Sequence, residues 1–177
     1  GAMTINPARE IRNARVGHEP RTPWLAEDEA RQFLTRPDSA NWIDQRDWLI
    51  CAALVGLGLR RAELARLRRD QLIASPGGFH ARVTAKRGKV GHVAVPPWLA
   101  DEINTWCRRH SIDAGPLFPS RHPASGQPVS PATVHTAVKR TAERTGIDPR
   151  KLSPHALRRT FSTLTGLVES YDVAQIV

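Results

Sequence analysis

Residues 152–164 read LSPHALRRTFSTL, and the fold is decided around them. Ser153 and Pro154 form a helix start, with a capping hydroxyl and a proline at the first helical position. The pattern predicts a helix over 153–169. His155 and Arg158 are three residues apart, so they share one face near the amino-terminal end. The unpaired N–H groups there favour an anion. An imidazole donor, a guanidinium fork and a helix terminus together suit a phosphate. The spacing alone is not diagnostic, because His18 and Arg21 repeat it. A helix-terminal histidine beside a solvated arginine is the plain structural alternative, and chemistry alone leaves both open.

Moving outward, SPATVHTAVKRTAERTG (130–146) predicts a helix capped by Ser130, opened by Pro131 and stopped at Gly146. AGPLFPSRHPASGQPVSP (114–131) reads as a long connection. PWLADEINTWCRRH (97–110) has helical periodicity. FHARVTA (79–85) and HVAV (92–95) alternate with a period of two, predicting a hairpin around the basic turn KRGKVG (86–91). RRAELARLRRDQL (60–72) predicts a helix with Leu59, Leu64 and Leu67 on its apolar side. Before it, Ser39 is expected to cap a helix running to Gly56-Leu57-Gly58, with Trp42, Ile43, Trp48, Leu49 and Ala52 facing inward. EDEARQFLT (27–35) predicts a short helix closed by Arg36-Pro37. A last helix is expected from Asp172. The fold class is therefore α+β, mostly helical with a small basic antiparallel β-hairpin or sheet. Residues 1–3 read as an expression scar, 4–23 as an interdomain linker or arm, and 24–177 as one domain.

The 177 residues, 40% hydrophobic and 24% charged, suffice for one core. No apolar run approaches the roughly 20 residues of a membrane span, and no secretory signal opens the sequence, so a cytoplasmic, non-membrane protein is expected. Cys51 and Cys107 lack metal-site spacing and sit among apolar neighbours, which reads as two reduced core thiols. The net charge of +9 is uneven. Residues 1–57 carry seven basic and eight acidic groups, whereas 58–177 carry nineteen and nine. Such asymmetry points to a polyanion, nucleic acid before membrane. Twenty-two of the 26 basic residues are arginine, whose fork matches phosphate oxygens.

Four further residues carry candidate chemistry. Arg60 follows the Gly-Leu-Gly junction, and Glu63, one helical turn on, can orient an arginine; the bland reading is a surface pair worth a few tenths of a kcal/mol. Lys86 and Lys89 occupy the hairpin turn, where an ammonium can reach a phosphate or protonate an alkoxide, or simply stay solvated.

In this order the segments resemble the catalytic domain of the tyrosine recombinases, the phage integrase and Xer-like family. GLGLRRAELARLRRDQL (56–72) is similar to the family's first-arginine box, VTAKRGKVGHVAVP (83–96) to its lysine hairpin, and LSPHALRRTFSTL to its His-x-x-Arg box. NPAREIR (6–12) resembles the linker into that domain and WLAEDEARQFL (24–34) its first helix. The resemblance implies that Arg60 and Arg158 clamp the scissile phosphate, with Glu63 supporting the first arginine. His155 would hydrogen-bond the phosphate or assist the nucleophile's proton. Lys86, or alternatively Lys89, would be the general acid for the 5′ oxygen. Lys89, Arg87 and Arg159 would contact DNA. It implies no cofactor or metal, double-stranded DNA sites as partner, and a homo-tetramer on DNA for the intact enzyme.

One departure is expected to matter. Tyr171, the sole tyrosine, matches a loop residue of the family rather than the nucleophile, so residues 24–177 are expected to be that catalytic domain without its C-terminal end and without the nucleophile. The resemblance then implies site-specific recombination through a 3′-phosphotyrosyl link in the intact protein. A non-catalytic DNA-binding regulator of the same fold is the alternative. A metal-free phosphodiesterase using His155 and Arg158 is a third.

Overall fold

A computed structural model describes residues 23–76, 78–84, 90–121 and 126–168, excluding the side chains of 166–168. Helix α1 (Glu27–Phe33) is a two-turn strap. It is tied across the molecule by the Leu25 N–H, which donates to Thr160 Oγ1 at 2.9 Å, and by Gln32 Nε2, which donates to the Thr145 carbonyl at 2.7 Å.

Helix α2 (Trp42–Leu57) is the centre of the fold. Asn41 rather than Ser39 caps it, its Oδ1 accepting from the Ile43 N–H at 2.9 Å. Ser39 instead accepts from the Asn41 N–H and donates to Asp44. Every residue from Arg46 to Leu57 is buried, so the expected single inward face is replaced by burial all round. The physical reason is position, since α3 (Arg61–Ala65), α4 (Pro97–Arg109), α5 (Pro131–Arg144) and α6 (Pro154–Val168) all pack against α2. Helices surrounded by other elements lose the polar stripe that a surface helix keeps.

The expected helix over 60–72 is corrected: α3 ends at Ala65, and Arg69–Gln71 form a 3-10 turn. Partners distant in sequence take over the backbone, because the Arg69 N–H donates to the Gly115 carbonyl at 2.8 Å and the Leu117 N–H to the Leu67 carbonyl at 2.9 Å. Leu72 then opens a strand that the period-two reading missed. The sheet is three antiparallel strands in the order β1 (Leu72–Ser75), β2 (Gly78–Thr84), β3 (Val90–Val95). Leu72 pairs with Ala81, and Thr84 with Val90. Ala81, Val83 and Val95 turn into the core, while Arg82 and His92, opposite each other, stay exposed.

The capping expectations hold for α5, where Ser130 Oγ accepts from the Thr133 N–H at 3.0 Å and Gly146 has φ +73°. Helix α6 begins after Ser153, whose Oγ accepts from the Ala156 N–H at 3.1 Å. Both cysteines are free and buried. Burial pushes the Cys51 thiol up to about 12 and Cys107 up to about 11, which keeps them protonated and inert. The architecture is α+β. Among the described residues no helix is long and apolar enough to cross a membrane. The expected linker, the helix from Asp172 and Tyr171 lie outside the described residues.

Candidate active site

The site starts at a glycine. Gly58 ends α2 in the left-handed region (φ +58°), which a residue without Cβ adopts at no steric cost. A Cβ there would stand 2.2 Å from Cδ1 of Phe161 on α6. Bare backbone and aromatic ring thus seat the α2–α3 junction directly on α6. That junction delivers Arg60 as the residue before α3, next to the helix carrying His155 and Arg158.

Glu63 locks the arrangement. One carboxylate oxygen, Oε2, accepts from the Arg60 backbone N–H at 2.8 Å, and the other, Oε1, accepts from the Arg60 guanidinium at 2.9 Å. Oε2 also faces Arg158 Nη1 at 3.8 Å, an ion pair between two segments that the sequence keeps far apart. Burial alone would raise the Glu63 pKa. The two hydrogen bonds from Arg60 and the charges of Arg60 and Arg158 outweigh it and hold the carboxyl below its ordinary value. The Glu63 side chain is 11% exposed, while Arg60 and Arg158 are 60% and 36% exposed. The carboxylate is inside and the guanidinium donors remain open to solvent.

His155 is exposed in the first turn of α6, one turn before Arg158. Helix α6 is 15 residues long, and the N–H groups at its capped start add a fixed positive potential beside these cations. Arg159, also on α6, is half-buried and engaged in an interaction of its own. The structure therefore brings Arg60, Glu63 and Arg158 onto one junction, with His155 one turn earlier on α6. Lys86, Arg87 and Lys89 lie outside the described residues; the strands on either side of them are paired at Thr84 and Val90.

Three supporting residues escaped the sequence reading. Phe161 packs on Gly58, Thr160 is fully buried and anchors Leu25, and Lys139 reaches the backbone ahead of α6. Phe161 and Thr160 carry no local signal, since each acts across the fold. Lys139 carries a faint one, being one of four lysines in an arginine-rich chain.

A small sheet beside helices packed round α2 is a fold shared with solved recombinases. The XerH site-specific recombinase, in a structure described as bound to a palindromic difH substrate after cleavage, superposes with a TM-score of 0.69 at 20% identity, over 85% of this chain and 43% of that one. This is the fold of tyrosine-recombinase catalytic domains. The model of the phage integrase family matches residues 23–171. Tyrosine recombinase XerD of Pseudomonas putida is 30% identical over 171 residues, 91% of this chain and 54% of that protein. Tyrosine recombinase XerA of Pyrococcus furiosus is 34% identical over 118 residues, 67% of this chain and 40% of that protein. The chain belongs to the phage integrase family of tyrosine recombinases. It spans about half the length of the curated relatives it matches.

Proposed function

We propose that this chain is the phosphate-clamping part of a DNA recombinase, and that the intact gene product cuts and rejoins DNA at specific sites. The observation that carries the reading is the Glu63 carboxylate between Arg60 and Arg158. It presents two cationic forks from distant segments to one point in solvent, with His155 and the α6 terminus alongside. A phosphoryl group in transfer accumulates negative charge on its non-bridging oxygens, and preorganised donors at that place lower the barrier.

In the proposed step, a tyrosine hydroxyl outside the described residues attacks the DNA phosphorus. A P–O bond to tyrosine forms, and the bond to the 5′ oxygen breaks. Lys86 or Lys89 gives that oxygen a proton, leaving a 5′-hydroxyl and a 3′-phosphotyrosyl link. Arg60 and Arg158 bind the non-bridging oxygens, and His155 donates to the phosphate or takes the nucleophile's proton. Arg87, Lys89 and Arg159 contact the DNA backbone. Attack by a 5′-hydroxyl from a partner strand reverses the chemistry, so no energy-rich cofactor enters. Residues 24–177 would belong to the catalytic domain of the intact protein, which would work in the cytoplasm as a homo-tetramer on two DNA sites.

The test is covalent trapping. The full-length gene product is incubated with DNA spanning its genomic flanks, denatured, and resolved for protein–DNA adducts. A phosphotyrosyl adduct with a free 5′-hydroxyl is expected. Salt-dependent binding with no adduct would instead assign a non-catalytic DNA-binding regulator. Turnover with free product and no adduct would assign a phosphodiesterase.

A further inference from the structure

Lys139, on α5, is a cation the proposed chemistry leaves unused. Its ammonium does not face solvent phosphate. It donates to the Pro149 carbonyl at 2.5 Å and to the Leu152 carbonyl at 2.8 Å. Both carbonyls belong to the short segment that turns the chain from α5 into α6. Pro149–Lys151 is a 3-10 turn, capped by Asp148 Oδ1, which accepts from the Arg150 N–H at 2.9 Å. Leu152 is 1% exposed, and the next residue, Ser153, is the α6 cap.

Through this geometry we infer that Lys139 is a positioning residue, fixing the peptide ahead of α6 and with it the direction in which His155 faces the phosphate. The inference rests on the phosphate-site reading above. A buried carbonyl needs a partner, so without the ammonium the Leu152 peptide would turn toward water. From that peptide to His155 the chain has little freedom. Ser153 Oγ holds the Ala156 N–H at 3.1 Å, and the Ser153 carbonyl accepts from the Leu157 N–H at 3.1 Å. A rotation at Leu152 would therefore swing the first turn of α6, His155 included. The anchor itself is firm, because Val134, Ala137 and Val138 around Lys139 on α5 are fully buried.

The side-chain type fits the task. An ammonium is a compact donor with three N–H bonds that diverge, so it reaches two carbonyls in different directions. A planar guanidinium fork suits a carboxylate or phosphate better. One of only four lysines among 26 basic residues stands where that difference counts. Arg60 is positioned independently, by Glu63 and by Gly58 against Phe161. Loss of Lys139 should therefore disturb one half of the clamp and spare the other.

The experiment uses the 177-residue chain with inorganic phosphate as probe, followed by NMR at the His155 ring and at Arg60 Nε. In the wild type both signals shift saturably. In Lys139→Met, at a temperature where circular dichroism shows a folded chain, the His155 shift should fall about threefold or more while the Arg60 shift keeps its amplitude. Should the methionine variant not fold, Lys139→Gln, which retains a donor for one carbonyl, is read by the same criterion. Equal responses in wild type and variant, or a joint loss at His155 and Arg60, would overturn the positioning role. Absence of any shift in the wild type would instead overturn the phosphate site, and the inference with it.

Discussion

Two clusters in this chain have the same composition, a nearly buried carboxylate between two arginines, and differ in how one of the arginines is held. In the first, Asp47 on α2 meets the buried Arg46 at 2.8 Å and the solvent-exposed Arg140 at 3.4 Å. Arg46 is 3% exposed, and its remaining donors go to the Pro119 and Ser120 carbonyls at 3.1 and 2.6 Å. Its guanidinium also lies over the Trp42 ring, 5.0 Å from the centroid. In the second, Glu63 meets Arg60 and Arg158, and both arginines keep exposed donors. A guanidinium whose donors are spent on carbonyls holds a loop. Where both arginines on one carboxylate stay in reach of solvent, two forks are offered together to a ligand. Burial of the arginine, rather than the presence of an ion pair, separates the two uses.

Breaking the first cluster should cost the most stability. Arg46→Met keeps the aliphatic stem but leaves the buried Asp47 carboxylate with the longer Arg140 contact alone and strands two loop carbonyls. Unfolding in urea should show a loss of about 3–5 kcal/mol. Arg158→Ala, measured the same way, should stay within about 1 kcal/mol, as for other solvent-exposed pairs. Comparable losses in the two variants would erase the distinction.

The glycine seat comes next in size. Gly58→Ala combines a left-handed backbone with a ring contact no Cβ can accept. A loss of about 2–4 kcal/mol is expected, from the backbone penalty plus overpacking. Gly58→Ala with Phe161→Ala should be clearly less destabilised than the two single losses added together, because one clash is shared. Strict additivity in thermal or urea unfolding would show that the two residues do not meet.

Glu63 gives a smaller effect with a definite sign. Its folded pKa is depressed, so its contribution is present above the ordinary carboxyl value near 4.3. That contribution is lost as pH falls through the lower folded value. The stability gap between wild type and Glu63→Gln should therefore narrow below about pH 4.3 and close in stronger acid. A gap that widens on acidification would contradict the ion-pair account. Smallest is the thiol chemistry: with Cys51 and Cys107 pushed up to about 12 and 11, alkylation of the native chain at pH 8 should be negligible until denaturant is added.

Much of this was legible because the decisive signals are local. Ser130, Pro131 and Gly146 bracket α5, and Ser153-Pro154 opens α6, each through bonds within one helical turn. The residues brought to the junction were legible too, since boxes of arginine, glutamate and histidine carry their own spacing. What was illegible is non-local. RRAELARLRRDQL has the periodicity of a helix throughout. The Gly115 carbonyl and the Leu117 N–H nevertheless capture its second half, and no local pattern announces those partners. The first strand was missed for the same reason, its identity being set by pairing with β2. Ser39 and Asn41, by contrast, are both good caps two residues apart, and the local bond from Ser39 to Asp44 leaves the capping role to Asn41.

The central claim is that the exposed arginines Arg60 and Arg158, and not the buried Arg46, handle a DNA phosphate. Its most direct test is single-turnover strand cleavage by the full-length gene product, wild type against Arg158→Ala, at saturating DNA. The account predicts that the variant folds and binds DNA but loses cleavage by about a hundredfold or more, the scale for removing a preorganised transition-state donor. Cleavage by Arg158→Ala within tenfold of wild type would contradict it.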